Sequence, residues 1–274
     1  MPHFLPALYV FTNIVQNLSS PVVDMKLNTF ENLHQHDVPP GQYPFVVTII
    51  TMDNVTVTRH CTGSLLRKNW VLSSAHCFTE PLEKKYYVWY DNFTTSPLDT
   101  SMFSKVVKIY NHPKYNHSQF NSHPSFFFGD NDISLLRVVK VSKSSYGKLS
   151  SVHYSKMSGL PVTYIGGASK YHRINEYPPL QFAEGIIITC GSALTMWSKY
   201  VLCVAPKCTE KTHQPLHGDF GGPFIYDGKI IGVMTTNFKI SKSALLSNGI
   251  TPISPYRDWI KHVMSDKKGL TGLL

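Results

Sequence analysis

The sequence predicts an all-β protein, closed into barrels or packed as a sandwich, with one α-helix at the C-terminal end. Three observations carry that reading. Short runs of β-branched, aromatic and aliphatic residues recur along the chain, clusters of Gly, Pro, Asn and Ser separate them, and helical periodicity appears only near the end. Eighteen Pro and 17 Gly spread over 274 residues favour many short elements joined by turns. Hydrophobic residues at 42% suffice for a large core, and a charged fraction of 16% excludes a solvated disordered chain. No stretch is long and apolar enough to read as a transmembrane helix.

Taken in order, residues 4–15 (FLPALYVFTNIV) are apolar and Ser19 and Ser20 follow, the layout of a secretory signal cleaved near residue 20. Pro6 and Asn13 interrupt the run and no Lys or Arg precedes it, so a buried N-terminal strand is the other reading. Residues 1–31 are accordingly set apart as a leader. Strands are expected at 45–50, 55–58, 70–72, 86–90, 105–110, 133–139, 161–165, 186–189, 200–204, 223–226 and 229–234. Near the end, Ser254 can cap a helix, Pro255 suits its first turn, and Tyr256, Trp259, Ile260 and Val263 form one apolar face. Residues 265–274 read as a tail. There is no internal repeat.

Lys and Arg number 26 against 17 Asp and Glu, a net charge of +9. Lys outnumbers Arg 21 to 5 and is scattered, which argues against a nucleic-acid reader. The charge fits either a solvated basic surface or attraction to anionic glycans, membranes or acidic proteins. Sequons occur at Asn17, Asn54, Asn92 and Asn116; the last three are candidate glycosylation sites once the leader is removed.

Three patterns carry chemistry: Leu72-Ser73-Ser74-Ala75-His76-Cys77, Asn131-Asp132-Ile133-Ser134-Leu135-Leu136, and Gly218-Asp219-Phe220-Gly221-Gly222-Pro223. In this chain order they resemble the trypsin/chymotrypsin-like serine protease family over about residues 32–264. Gly41-Gln42-Tyr43-Pro44-Phe45, Gly63-Ser64-Leu65-Leu66, Lys68-Asn69-Trp70-Val71-Leu72 and Ile230-Ile231-Gly232-Val233 fall where the family has such residues. The resemblance implies two six-stranded antiparallel β-barrels, a C-terminal helix and a cleft between the barrels. It implies that His76 is the general base, Asp132 its orienting carboxylate, and Gly218 part of the oxyanion hole. The nucleophile belongs at Phe220, and a phenyl ring offers neither a lone pair nor a proton.

Other parts of the implied machinery also depart. Counting back from Pro44, the activation segment falls on Asn32-Leu33-His34-Gln35 after Glu31, with no basic cleavage site and no small apolar N-terminus to pair with Asp219. Arg59, two residues before Cys61, is the candidate partner for Asp219. The floor of the specificity pocket falls on Gln214, its wall on Thr235-Thr236-Asn237, and Thr251 stands where the family often has Tyr. By resemblance Cys61 pairs with Cys77 and Cys190 with Cys203. Leu216 stands where a further bridge would need Cys, leaving Cys208 a free thiol or an intermolecular link.

The His34/His36 pair and the 112–123 histidines lack zinc-site spacing, so neither a metal nor a cofactor is expected. Phe126-Phe127-Phe128 reads as core packing or a docking patch, and His217 as a filler of the altered site. These readings lead to a secreted homologue that does not cut and acts on a protein partner: a protease, an inhibitor or a substrate of a proteolytic cascade. An active serine endopeptidase and a cationic binder of glycans or membranes are the rival readings.

Overall fold

Residues 36–53, 56–79, 84–115, 130–167, 177–190, 199–206, 218–240 and 245–265 are described by a computed structural model of the chain. Six strands close a first barrel: β2 (Val46–Met52), β3 (Val57–Arg67), β4 (Trp70–Ser73), β5 (Tyr86–Trp89), β6 (Phe103–Asn111) and β7 (Ser134–Val138), in the order β2-β3-β4-β7-β6-β5. The β2–β5 ladder shuts it. Six more form the second: β8 (Pro161–Gly166), β9 (Gln181–Ile188), β10 (Leu202–Pro206), β11 (Pro223–Tyr226), β12 (Lys229–Ile240) and β13 (Leu245–Pro252). Their order is β9-β10-β13-β12-β11-β8, and a β8–β9 ladder completes the ring. The two-residue β1 (His36–Asp37) pairs with β9 from outside. All ladders between these strands are antiparallel, so the expected double barrel is the observed fold.

Alternation along each strand fills the two interiors. Val47, Ile49, Leu65, Val71, Val88 and Leu136 are fully buried in the first barrel, and Ile187, Phe224, Ile231, Met234 and Ile250 in the second. Each such side chain contributes about 1.5–3 kcal/mol of burial. A third cluster joins Trp70, Leu72 and Leu135 of the first barrel to Ile165 and Val233 of the second, beneath Tyr256 and Ile260.

Eight of the expected strands stand within a few residues of their reading; β9 starts five residues before its reading, β12 runs six residues beyond its own, and the 55–58 run grows into β3, which carries Cys61. The sequence reading misses β13, because Ser247-Asn248-Gly249 looks like a turn. Pairing with β10 on one side and β12 on the other holds that segment extended. It also misses the four-residue helix α1 (Pro97–Thr100), whose Leu98 N–H donates to the capping Ser96 Oγ. The C-terminal helix α2 (Arg257–Ser265) follows a 3-10 turn at Ser254–Tyr256 and buries the expected face. The Ser254 cap is corrected: its Oγ accepts the Tyr154 N–H at 2.8 Å and ties the helix entry to the second barrel. No described helix is long and apolar enough to cross a membrane.

Candidate active site

The buried strand β4 runs into a 3-10 turn, Ala75–Phe78, that lifts His76 to the rim of the first barrel. A Cys61–Cys77 disulfide anchors the turn to β3. Across the barrel, Asn131 takes a left-handed conformation (φ 60°), which Asn tolerates better than most residues. Its side chain donates to the Lys114 carbonyl and accepts from Tyr256 Oη, so the 3-10 turn before α2 helps to hold it. That turn delivers Asp132, 1% exposed, just before β7.

The Asp132 carboxylate accepts three hydrogen bonds. Oδ1 takes the His76 backbone N–H at 2.8 Å, Oδ2 takes His76 Nδ1 at 2.7 Å, and Oδ2 also takes the Thr235 hydroxyl. Three donors are what make a buried carboxylate affordable. An acceptor-only carboxylate places the imidazole proton on Nδ1 and leaves the Nε2 lone pair free to act as a base. Thr235, read from sequence as pocket wall, turns its hydroxyl to this carboxylate.

The loop Gly218–Gly222 enters from the second barrel and is fixed by main-chain contacts. Thr62 donates its N–H to the Phe220 carbonyl at 2.8 Å and its hydroxyl to the Gly218 carbonyl at 2.7 Å. Gly221 donates to Met234 O, and Gly222 to Asp219 O. Gly218 has φ +108° and Gly221 φ +78°, conformations that a side chain disfavours. At Gly221 a Cβ would also lie 2.1 Å from Ser73 Oγ and 2.5 Å from Thr62 O. Ser73 and Ser74 complete the seam between the barrels, their hydroxyls bonded to Thr62 O and Met234 O.

Phe220 sits at the loop tip, its ring 5.0 Å from the His76 ring and nearly perpendicular at 78°. It packs against the interior clusters of both barrels. The base therefore faces a phenyl ring, which has no proton to give it. Asp219 is buried at 1% and lies so close to Gly166 that a Cβ there would meet its Oδ1 at 1.9 Å. The suggested partner Arg59 donates instead to the carbonyls of Gly167, Pro178 and Phe93, at 3.0, 2.8 and 2.6 Å, and lies 4.5 Å over the Trp89 ring. Burial pulls its pKa down to about 10, against the opposing pull of Tyr177 and of the Asp219 charge. Arg59 thus feels Asp219 but works as a clamp on main-chain carbonyls.

Both disulfides inferred from the resemblance form: Cys61–Cys77 and Cys190–Cys203. Cys61, Cys77 and His76 cluster within 4.8 Å, but the two sulfurs are bonded to each other, so no thiolate is left for a metal. Asn92 lies between β5 and α1, with its Oδ1 accepting the Thr94 N–H and hydroxyl. Asn237 pairs with Asn248 in the β12–β13 ladder, and Thr251 is buried opposite Val233. Residues 1–35, Asn54, Asn116, Phe126–Phe128, Cys208, Gln214, Leu216, His217 and residues 266–274 of the tail lie outside the described residues. Sequence reasoning missed Thr62, whose place directly after Cys61 was the available signal.

Comparison with known proteins agrees with this geometry. The "Trypsin" family model matches residues 33–260. Granzyme M of Rattus norvegicus is 24% identical over 238 residues, covering 82% of this chain and 86% of that protein. Trypsin of Phaedon cochleariae is 25% identical over 265 residues, 88% of this chain and 91% of that one. Among solved structures, mouse neuropsin superposes with a TM-score of 0.65 at 22% identity, over 85% of this chain and 100% of that one. A mutant of human heparin binding protein (CAP37) also gives 0.65, at 15% identity over 86% and 98%. With the double barrel, the His76–Asp132 pair and a family match across most of its length, the chain belongs to the trypsin family of serine proteases.

Proposed function

We propose that this protein is a secreted serine protease homologue that has lost peptide hydrolysis and acts by binding, as a decoy, adaptor or regulator of proteolysis. The observation that carries the reading is Phe220 at the nucleophile position, its ring perpendicular to that of His76 and wedged between the two barrel cores. Loss of a triad nucleophile removes about a million-fold in turnover, because the base then has no proton to take. The two disulfides support passage through an oxidising compartment.

The rival reading is an active serine endopeptidase, and the intact His76–Asp132–Thr235 arrangement favours it. An active-site-directed phosphonate separates the two. The purified protein should stay unlabelled and should not cleave peptide substrates. Labelling, or turnover above the uncatalysed rate that survives repurification, would sink the proposal. Phe220→Ser should also stay inactive, because the activation segment and the specificity pocket read as altered as well. Robust hydrolysis by that variant would mean that only one residue separates this chain from an enzyme. Capture of a protease, inhibitor or cascade substrate from the secreting fluid would then identify the partner.

A further inference from the structure

The net charge of the chain is concentrated in three segments that carry strands of the first barrel. Residues 57–79, 103–115 and 133–148, which contain β3, β4, β6 and β7, hold ten Lys and Arg and no Asp or Glu. Of these ten, Arg59 is buried and Lys143 pairs with Asp91. Strand register arranges several of the others. Arg67 of β3 stands opposite Trp70 of β4, Trp70 opposite Arg137 of β7, and Arg137 opposite Lys108 of β6. Directly opposed residues share a face of the sheet, so these four side chains form one row across four strands, about 14 Å long at the usual strand spacing.

A bulge in the β6–β7 ladder between Val106 and Lys108 supports the row. It turns Val107 and Lys108 outward together, while Val106 and Ile109 still reach the first core. The row is braced by aromatic rings. Lys108 Nζ lies 4.8 Å from the Tyr110 ring, Arg137 Cζ lies 5.0 Å from the Trp70 ring, and the two rings are 5.5 Å apart. Lys105 and Lys140 flank it, and the Val139 N–H beside Lys140 donates to the Lys105 carbonyl. No described carboxylate forms an ion pair with Arg67, Lys105, Lys108, Arg137 or Lys140. Two cations held directly opposite each other weaken a ladder, and a bridging anion relieves that repulsion.

The geometry points to this wall of the first barrel as a binding site for a sulfated polysaccharide, a linear chain of fixed negative charges laid along the Arg67–Arg137–Lys108 row. The surface distinguishes this occupant from the other polyanions. β3, β4, β6 and β7 belong to a closed barrel, so an acidic peptide finds no free strand edge for main-chain pairing and would be held by side-chain charge alone. A membrane surface calls for large exposed anchors. Here the exposed large apolar side chains beside the row are Val107 and Val139, and the Trp70 ring is buried in the cluster between the barrels. The inference is independent of whether the site at Phe220 cuts.

The test is titration of the whole protein with a short, size-fractionated sulfated glycosaminoglycan fragment at several salt concentrations. Arg67→Gln/Lys108→Gln/Lys140→Gln should bind about tenfold or more weakly, with a shallower salt dependence from the lost counterion release. Arg137→Gln should weaken binding in the same direction. Lys156→Gln/Lys199→Gln/Lys229→Gln removes the same charge from the second barrel and should bind like wild type. All the residues in the two triple variants are exposed, and unchanged melting curves confirm that the fold persists. Equal weakening in the two triple variants would show that net charge alone is at work and would overturn the site. So would no binding of the fragment at low salt, or equal or tighter binding of polyglutamate or phosphatidylserine vesicles.

Discussion

The two halves of the candidate site meet at His76 and Phe220 but are held together differently. The His76–Asp132–Thr235 half is a chain of side-chain hydrogen bonds, in which each member's chemistry is its means of attachment. The Gly218–Gly222 half hangs on main-chain carbonyls and N–H groups gripped by Thr62 and Met234. Replacing the side chain at 220 leaves those bonds untouched, whereas replacing Asp132 would strand three donors. The difference explains how a loop can keep the family's shape with a phenyl ring at its tip. Backbone geometry is indifferent to which side chain would have done the chemistry.

That contrast can be broken at its strongest point with Gly221→Ala. The added Cβ meets Ser73 Oγ and the Thr62 carbonyl at φ +78°, so the loop must shift. A loss of about 3 kcal/mol is expected, read by thermal or urea unfolding. A near-neutral result would mean that the loop is not held by its backbone. Phe220→Ala comes next. Truncating a ring packed on both cores should cost about 2 kcal/mol and confer no hydrolysis. The His76 Nδ1–H resonance should persist, since Asp132 still accepts it.

Thr235→Val probes the other half. It removes one donor to a buried carboxylate at nearly constant volume, and about 1–2 kcal/mol should be lost. Wild-type stability would show that two donors from His76 suffice. The smallest effect concerns His112, which packs edge-on against Tyr256 and Trp259 and donates its N–H to Ile133 O beside Asp132. Burial lowers its pKa below the ordinary 6.5, Lys114 adds to the fall and Asp130 opposes it. The unfolded chain therefore takes up this proton more readily, so stability contributed by neutral His112 falls as pH drops through 6.5 and below. His112→Gln should lose less stability than wild type between pH 7.5 and 5.5. An equal or greater loss in the variant would remove His112 from the account.

Much of the site was legible because the family's motifs are contiguous in sequence. His76 and Cys77 stand together, Asn131 directly precedes Asp132, and the loop Gly218–Gly222 is a single stretch. The roles of Thr62, Thr235 and Arg59 were not legible, since each depends on a partner 103 or more residues away. Thr235 read as pocket wall until its hydroxyl was seen on Asp132. Arg59 feels the charge of Asp219, as the sequence suggests, but its hydrogen bonds go to three carbonyls that no motif announces. The strand β13 was hidden for a related reason. Its Ser-Asn-Gly centre has poor strand propensity, and only the neighbours β10 and β12 impose extension on it.

By itself, the sequence determined the all-β class, the terminal helix face, the His and Asp of the site, the absence of a hydroxyl at position 220, and a net charge of +9. These are properties of residue type and of short-range periodicity, and they survive any arrangement of the chain. Only the tertiary structure decided that Phe220 is wedged between two cores, that Thr62 holds its loop, and that Arg67, Arg137 and Lys108 line one row with no described carboxylate paired to them. Strand register and barrel closure bring together residues far apart in the chain, and no local rule of sequence encodes which of them will meet.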